Sequence, residues 1–307
     1  MRKTTLRILR LLLALSLMVL SGCSNSTIEN KVSVDEKISV YTSFYPMYDF
    51  AKKIGGDKIN LTNLVPAGTE PHDWEPTPGD MANLEKANVL IYNGAGMESW
   101  MDKVLNSIKN KKLITVETAK GLKLLDNTDK DEDLKYDPHV WLNPLLAKKQ
   151  MEAIKNAFVA ADSSNKDYYE KNYTENAQKL DDLDQEYKDT VAKFKKKDII
   201  VAHQAFGYIG DTYGLKQVAI EGLTADSEPT PAKMAEIVKF AKENDVKYIF
   251  FEELVSPKVA GAVAREVGAK TQVLNPLEGL EQDDIKAGKE YFSVMRDNLE
   301  TLSKALQ

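Results

Sequence analysis

Cysteine is almost absent from this chain: one residue among 307, Cys23, near the N-terminus. A single cysteine allows no internal disulfide and no thiolate zinc site. Histidine is nearly as rare, at His72, His139 and His203 only. There is no excess of positive charge. The formal net charge is −6, which argues against nucleic acid as a partner. The apolar segment at residues 11–20 is too short for a comfortable membrane span. No His-Glu-x-x-His pair occurs, so the usual zinc-hydrolase helix is missing.

What precedes residue 37 reads as a targeting segment. Arg2, Lys3, Arg7 and Arg10 form a basic region ahead of the apolar stretch, as in a secretory signal. It ends in Leu20-Ser21-Gly22-Cys23, which looks like a bacterial lipobox, with Cys23 lipidated and the new N-terminus. Several acyl chains on one cysteine supply a stable anchor. Loss of the signal's four positive charges takes the net charge to −10. Residues 24–36 are polar and read as a flexible tether.

The remainder is long enough for two domains. Short apolar, β-branched runs at 37–42, 59–65, 89–92 and 113–116 alternate with helical candidates such as 47–54 and 97–109, the rhythm of βα units around a parallel sheet. From about 145 to 197 strand signal is lacking. Residues 167–194 carry no Pro or Gly, and their apolar positions recur at spacings of three, four and seven, which predicts a long helix between domains. The βα rhythm resumes with strands expected at 198–202, 217–220, 248–251 and 271–274, and helices at 231–243, 257–267 and 283–306. Pro231 and Pro257 fit the first turn of a helix. The expected fold is α/β, with two lobes, each a roughly four-stranded parallel sheet flanked by helices, joined by one long rigid helix. The expected boundaries are 1–22 for the signal, 23–36 for the tether, 37–163 for the N-terminal lobe, 164–197 for the linking helix and 198–307 for the C-terminal lobe.

Each histidine follows an expected strand. His72 lies in Glu70-Pro71-His72-Asp73-Trp74, His139 in Asp137-Pro138-His139-Val140-Trp141, and His203 at the end of the first strand of the second half. Open parallel sheets bind ligands at the carboxyl ends of their strands. If those edges face each other, the three rings meet in the cleft. Neutral imidazole is the commonest metal ligand, and three leave one tetrahedral position for a carboxylate. Glu278, after the last expected strand, is the first candidate, and Glu252, Glu253, Glu228 and Asp226 are alternatives. Three nitrogens and one carboxylate suit Zn²⁺ better than Mn²⁺. Glu70 and Asp137 are candidate acceptors for ring N–H groups. Trp74 and Trp141 could shield the site, though ordinary packing is the plainer expectation. The acidic run 126–133 reads as a solvated loop.

Together the lipobox, Glu-Pro-His-Asp-Trp-Glu-Pro-Thr-Pro, Asp-Pro-His-Val-Trp-Leu-Asn-Pro, Ala-His-Gln-Ala-Phe and Leu-Asn-Pro-Leu-Glu resemble the zinc/manganese substrate-binding lipoproteins of ABC transporters over essentially the whole chain. The resemblance implies metal held between two lobes by His72, His139, His203 and Glu278. Manganese-type members typically have a glutamate at the third histidine position and a final aspartate, so zinc is favoured here. Many zinc members carry a histidine-rich loop before the second ligand; here that region is the acidic run. The implied protein is no enzyme. It is a monomer anchored by lipid on the outer face of the membrane, of Gram-positive type, that delivers Zn²⁺ to an ABC permease. A manganese receptor, a surface adhesin and a zinc hydrolase are the alternatives.

Overall fold

The computed structural model describes residues 37–127, 134–224 and 229–307. The signal segment, Cys23 and the tether lie outside the described residues, as do Asp226, Glu228 and most of the acidic run. The chain order is β1 (Ile38–Thr42), α1 (Tyr45–Gly55), β2 (Ile59–Asn63), α2 (Pro78–Leu84), β3 (Val89–Tyr92), α3 (Met101–Ser107) and β4 (Ile114–Glu117), then α4 (Pro144–Ala161) and α5 (Lys166–Val191). The second half follows with β5 (Asp198–Val201), α6 (Gly207–Tyr213), β6 (Lys216–Ala219), α7 (Pro231–Glu243), β7 (Tyr248–Phe251), α8 (Lys258–Val267), β8 (Lys270–Val273), α9 (Gln282–Lys286) and α10 (Tyr291–Leu306).

Each half holds one four-stranded sheet, ordered β2-β1-β3-β4 and β6-β5-β7-β8, with every pairing parallel. In both sheets the chain reverses direction across the sheet beside the first strand. That reversal opens a crevice at the carboxyl edge. The central strands are apolar on both faces: Val89, Leu90 and Ile91 in β3 and Ile199, Ile200 and Val201 in β5 are all fully buried. Helices therefore have to cover both sides.

Between the sheets the chain forms α4, which belongs to the first half, and then α5, the single long joining helix expected at 164–197. The side chain of Asn143 caps α4 by accepting from the N–H groups of Leu145 and Leu146, with Pro144 at the first helical position. Along α5, Tyr169, Leu180, Leu183, Tyr187 and Val191 are buried on one face. That face packs on α1 and α4 of the first half and on α10 of the second. Held from both halves, the helix acts as a strut. Tyr187 donates to the Met295 carbonyl at 2.7 Å, and Arg296 makes two bonds to Glu186. One core cluster runs from Phe44 and Phe50 through Trp141, Tyr187 and Tyr291 to Phe206 and Leu274.

The C-terminal region departs from the single helix expected at 283–306. Gly288, at φ +84°, ends α9, and Glu290 starts α10 with a reciprocal cap to Ser293. The helix expected at 97–109 is shorter, because Gly94, Ala95 and Gly96 all take positive φ and delay its start to Met101.

Candidate metal centre

Four loops at the carboxyl edges carry the histidines and Glu278. Pairing of the first sheet continues past β1 and β2, since Leu64 N–H donates to Thr42 and Val65 N–H to Ser43. The chain then crosses to the second half, where Gly68 N–H donates to the Leu280 carbonyl at 3.1 Å, and reaches His72. His139 follows β4 after a long connection. Its loop is held by Asn93, whose side chain donates to the Pro138 carbonyl at 2.9 Å. Asn93 is in turn fixed by Gln150, while the buried Glu98 carboxylate accepts from the N–H groups of Asn93 and Gly94 and from the Ser43 hydroxyl. His203 lies two residues past the end of β5, which pairs with β7, and Glu252 directly follows β7.

Glu278 is aimed inward by a strained turn. Leu277 sits at φ +60°, a conformation that costs a side-chain-bearing residue about 1–2 kcal/mol. The Asn275 side chain offsets this by accepting from Leu277 N–H at 2.7 Å while donating to Glu253 at 2.7 Å. The Asn275 backbone is paired both ways with the Asn298 side chain. At the residue after Glu278, a Cβ on Gly279 would press on the end of the Leu254 side chain.

These loops bring His72, His139, His203 and Glu278 together, with one ligand atom from each within 4.8 Å of all the others. His139 Nε2 and His203 Nε2 lie 3.3 Å apart. Glu278 Oε1 is 2.9 Å from the first, 3.2 Å from the second and 3.7 Å from His72 Nε2. Donors bound tetrahedrally at the zinc–nitrogen distance are roughly 3.3 Å apart, so the group matches a small tetrahedral cation. His139 and His203 are fully buried, and only His72 is partly exposed.

Asp137 Oδ1 meets the Nδ1 of His139 at 2.7 Å and also its backbone N–H at 2.9 Å. Glu252 meets the Nδ1 of His203 at 2.5 Å. With each Nδ1–H engaged, each Nε2 turns a lone pair toward Glu278. Lone pair facing carboxylate is repulsive unless a cation lies between them. Glu278 Oε1, Glu278 Oε2 and His72 Nε2 are accordingly buried without hydrogen-bond partners, an expensive condition that a metal ion relieves.

Without metal, a proton plays that part. Burial alone would lower the pKa of His139, but Asp137 and then Glu278 push it up to about 9. For His203, burial is likewise outweighed by Glu252 and Glu278, and the pKa rises well above the usual value. Burial would raise that of Glu278; the three histidines, His203 foremost, hold it well below the ordinary carboxylate range. Glu70 is pushed up to about 8, first by burial and then by Glu278.

The remaining sequence candidates divide. Asp137 reaches a ring nitrogen, whereas Glu70 accepts from the backbone N–H of His72 at 3.2 Å. Glu252, an alternative for the fourth ligand, instead orients His203, a role that its position after β7 did not reveal. Glu253 is turned to Asn275. Trp141 is a wall of the site and a brace: its ring is 5.3 Å from that of His139, and its N–H donates to the Pro276 carbonyl at 2.8 Å. Trp74 packs edge-on against Trp100.

Residues 40–305 match the family described as zinc-uptake complex component A, periplasmic. The high-affinity zinc uptake system protein ZnuA of Bacillus subtilis is 42% identical over 305 residues, 96% of each chain. The zinc-binding lipoprotein AdcA of Streptococcus pneumoniae is 38% identical over 304 residues, 96% of this chain and 60% of AdcA. The Zn(II)-bound ZnuA-like domain of AdcA superposes with a TM-score of 0.77 at 40% identity, covering 88% of this chain and 99% of that domain. The laminin-binding protein of Streptococcus agalactiae, described as bifunctional with adhesin and metal-transporting activity, gives 0.79 at 34% identity, over 88% of this chain and 100% of that one.

Proposed function

The chain belongs to the zinc-uptake complex component A family, and on that premise we propose that it captures Zn²⁺ outside the cell, held by lipid at Cys23, and hands it to an ABC permease. His72, His139, His203 and Glu278 are the proposed ligands. One observation carries this reading: three imidazole nitrogens and a carboxylate oxygen converge, with the far nitrogens of two rings already anchored on carboxylates. Anchoring of that kind fixes tautomer and ring orientation before metal arrives.

The donor set favours zinc over manganese, which more often takes additional oxygen ligands. The fourth donor also closes the tetrahedron, leaving no position for a nucleophilic water, so the site suits cargo and not hydrolysis. The proposed organisation is a signal over 1–22, a tether over 23–36, lobes over 37–163 and 198–307 and a linking segment over 164–197, acting as a monomer at the extracytoplasmic face. The lipoprotein description of the pneumococcal relative supports the anchor.

Titration of the His203→Ala variant with Zn²⁺ against a competing chelator tests the site: affinity falls steeply, and an unchanged value removes His203 from it. Failure of a deletion strain to grow in low zinc, with rescue by added zinc, tests uptake. A second reading, adhesion to a matrix protein, is favoured by the similarity to laminin-binding proteins; binding of the purified chain to immobilised laminin would support it.

A further inference from the structure

His139 belongs to the first half of the chain, yet the second half determines where its ring can sit. Every polar group of Asp137, the residue that orients His139, is accounted for. Its N–H donates to the Leu125 carbonyl at 2.9 Å. Its Oδ1 takes both His139 contacts. Its carbonyl accepts from the Tyr208 hydroxyl at 2.8 Å, and the same hydroxyl accepts from Leu125 N–H at 3.1 Å. Its remaining oxygen, Oδ2, lies against the bare Cα of Gly207, where a Cβ would collide with it. Gly207 and Tyr208 open α6, only four and five residues beyond His203. The carboxylate cannot retreat from a side chain at position 207 without letting go of the His139 ring, because its other oxygen is committed there. Tyr208 is itself buried and cannot substitute water for this bond without disturbing the seam.

We propose that Gly207 and Tyr208 are positioning residues for the metal, holding His139 in its ligating orientation through Asp137, so that the segment carrying His203 also governs the ligand supplied by the other lobe. This rests on the proposed zinc-binding reading. The consequence is concerted release. A displacement of residues 203–208 withdraws His203 directly and, through Asp137, frees the ring of His139, so the ion loses two nitrogens in one movement.

The test uses the full chain and two metal probes. Zn²⁺ dissociation is timed by chelator chase, and the visible bands of the Co²⁺-loaded protein report ligand geometry. Gly207→Ala and Tyr208→Phe each accelerate zinc loss by about tenfold, the size of effect seen when groups behind a ligand are altered, and each shifts the Co²⁺ bands. The decisive comparison is made in an Asp137→Ala background. There Gly207→Ala adds less than about twofold, because the residue through which it acts is gone. Effects that multiply independently, or single variants that match the unmodified chain, overturn the inference. If Gly207→Ala fails to fold, Tyr208→Phe, which removes a single oxygen, decides the question by the same comparison. An unmodified chain that binds no zinc overturns the functional reading itself, and this inference with it.

Discussion

Glu252 holds the Nδ1 of His203 at 2.5 Å, and both residues are buried at the carboxyl ends of adjacent strands. The pair comes from β5 and β7, next to each other in the sheet but about fifty positions apart in the chain. The neighbouring Asp137 and His139 make the same kind of pair from a single tight loop. The backbone setting differs and the chemistry does not: in each case a carboxylate accepts a hydrogen bond from Nδ1–H and leaves Nε2 to face the site.

Glu252→Gln keeps shape and removes the charge. The metal-free melting temperature is expected to fall, because the buried His203 loses the carboxylate that stabilises its charged form, and zinc affinity to fall about 10–100-fold. Competition titration against a chelator of known strength measures it, and an affinity within twofold of the unmodified protein would deny Glu252 its role.

The pH dependence has a definite sign. His139, raised from 6.5 to about 9 in the metal-free fold, adds stability that is complete below 6.5 and is lost as pH rises through 9. His203 acts in the same direction. Glu278, held below 4.5, adds stability above that value and loses it on acidification. Zinc must displace the histidine protons, so binding releases protons at pH 7 and tightens as pH rises toward 9. Calorimetry in buffers of different ionisation enthalpy counts those protons, and the gap in melting temperature between zinc-loaded and metal-free protein should widen from pH 6 to pH 9. A constant gap contradicts the assignment.

Trp141→Phe deletes the donor to the Pro276 carbonyl, two residues before Glu278. The buried carbonyl left behind costs about 1–3 kcal/mol. Urea denaturation of the metal-free chain should report that loss, together with faster zinc dissociation; a midpoint equal to that of the unmodified protein would show that the carbonyl finds another partner.

Asn275→Ala removes the acceptor that supports Leu277 in its left-handed conformation. The orphaned N–H costs about 1–3 kcal/mol, and Glu278 loses its fixed approach, so stability and zinc affinity fall together. Replacement by Asp, which keeps the acceptor oxygen, should restore more of both than replacement by Ala. Equal effects of the two substitutions would point to packing alone.

Much of this was readable from residue order. Eight strands were anticipated because their apolar, β-branched runs are long enough to be distinctive, and the three histidines stood out through scarcity and placement after strands. Glu278 stood first among several acids by its place after the last strand, and the resemblance separated it from those rivals. The role of Glu252 was hidden because partnership across a sheet depends on strand order, which periodicity does not encode. The long joining helix is legible because residues 167–194 lack Pro and Gly, and its start agrees with the local turn at residues 162–165. The division between α9 and α10 was missed because Gly288 is only decisive once its positive φ is known. Gly207 gave no signal: its importance is the proximity of an aspartate seventy residues earlier in the chain.

The aromatic cluster that continues from Phe44 through Trp141 to Tyr291 means that the seam beneath the ion is greasy and not aqueous. A wide, clam-like rotation of one half would wet that seam. At about 25 cal/mol per Å², uncovering even roughly 200 Å² of it costs about 5 kcal/mol, comparable with the whole stability of many small proteins. On the proposed zinc-carrier reading, that cost favours loading and unloading by small-amplitude rearrangements of the loops around the ion over a wide opening of the frame beneath.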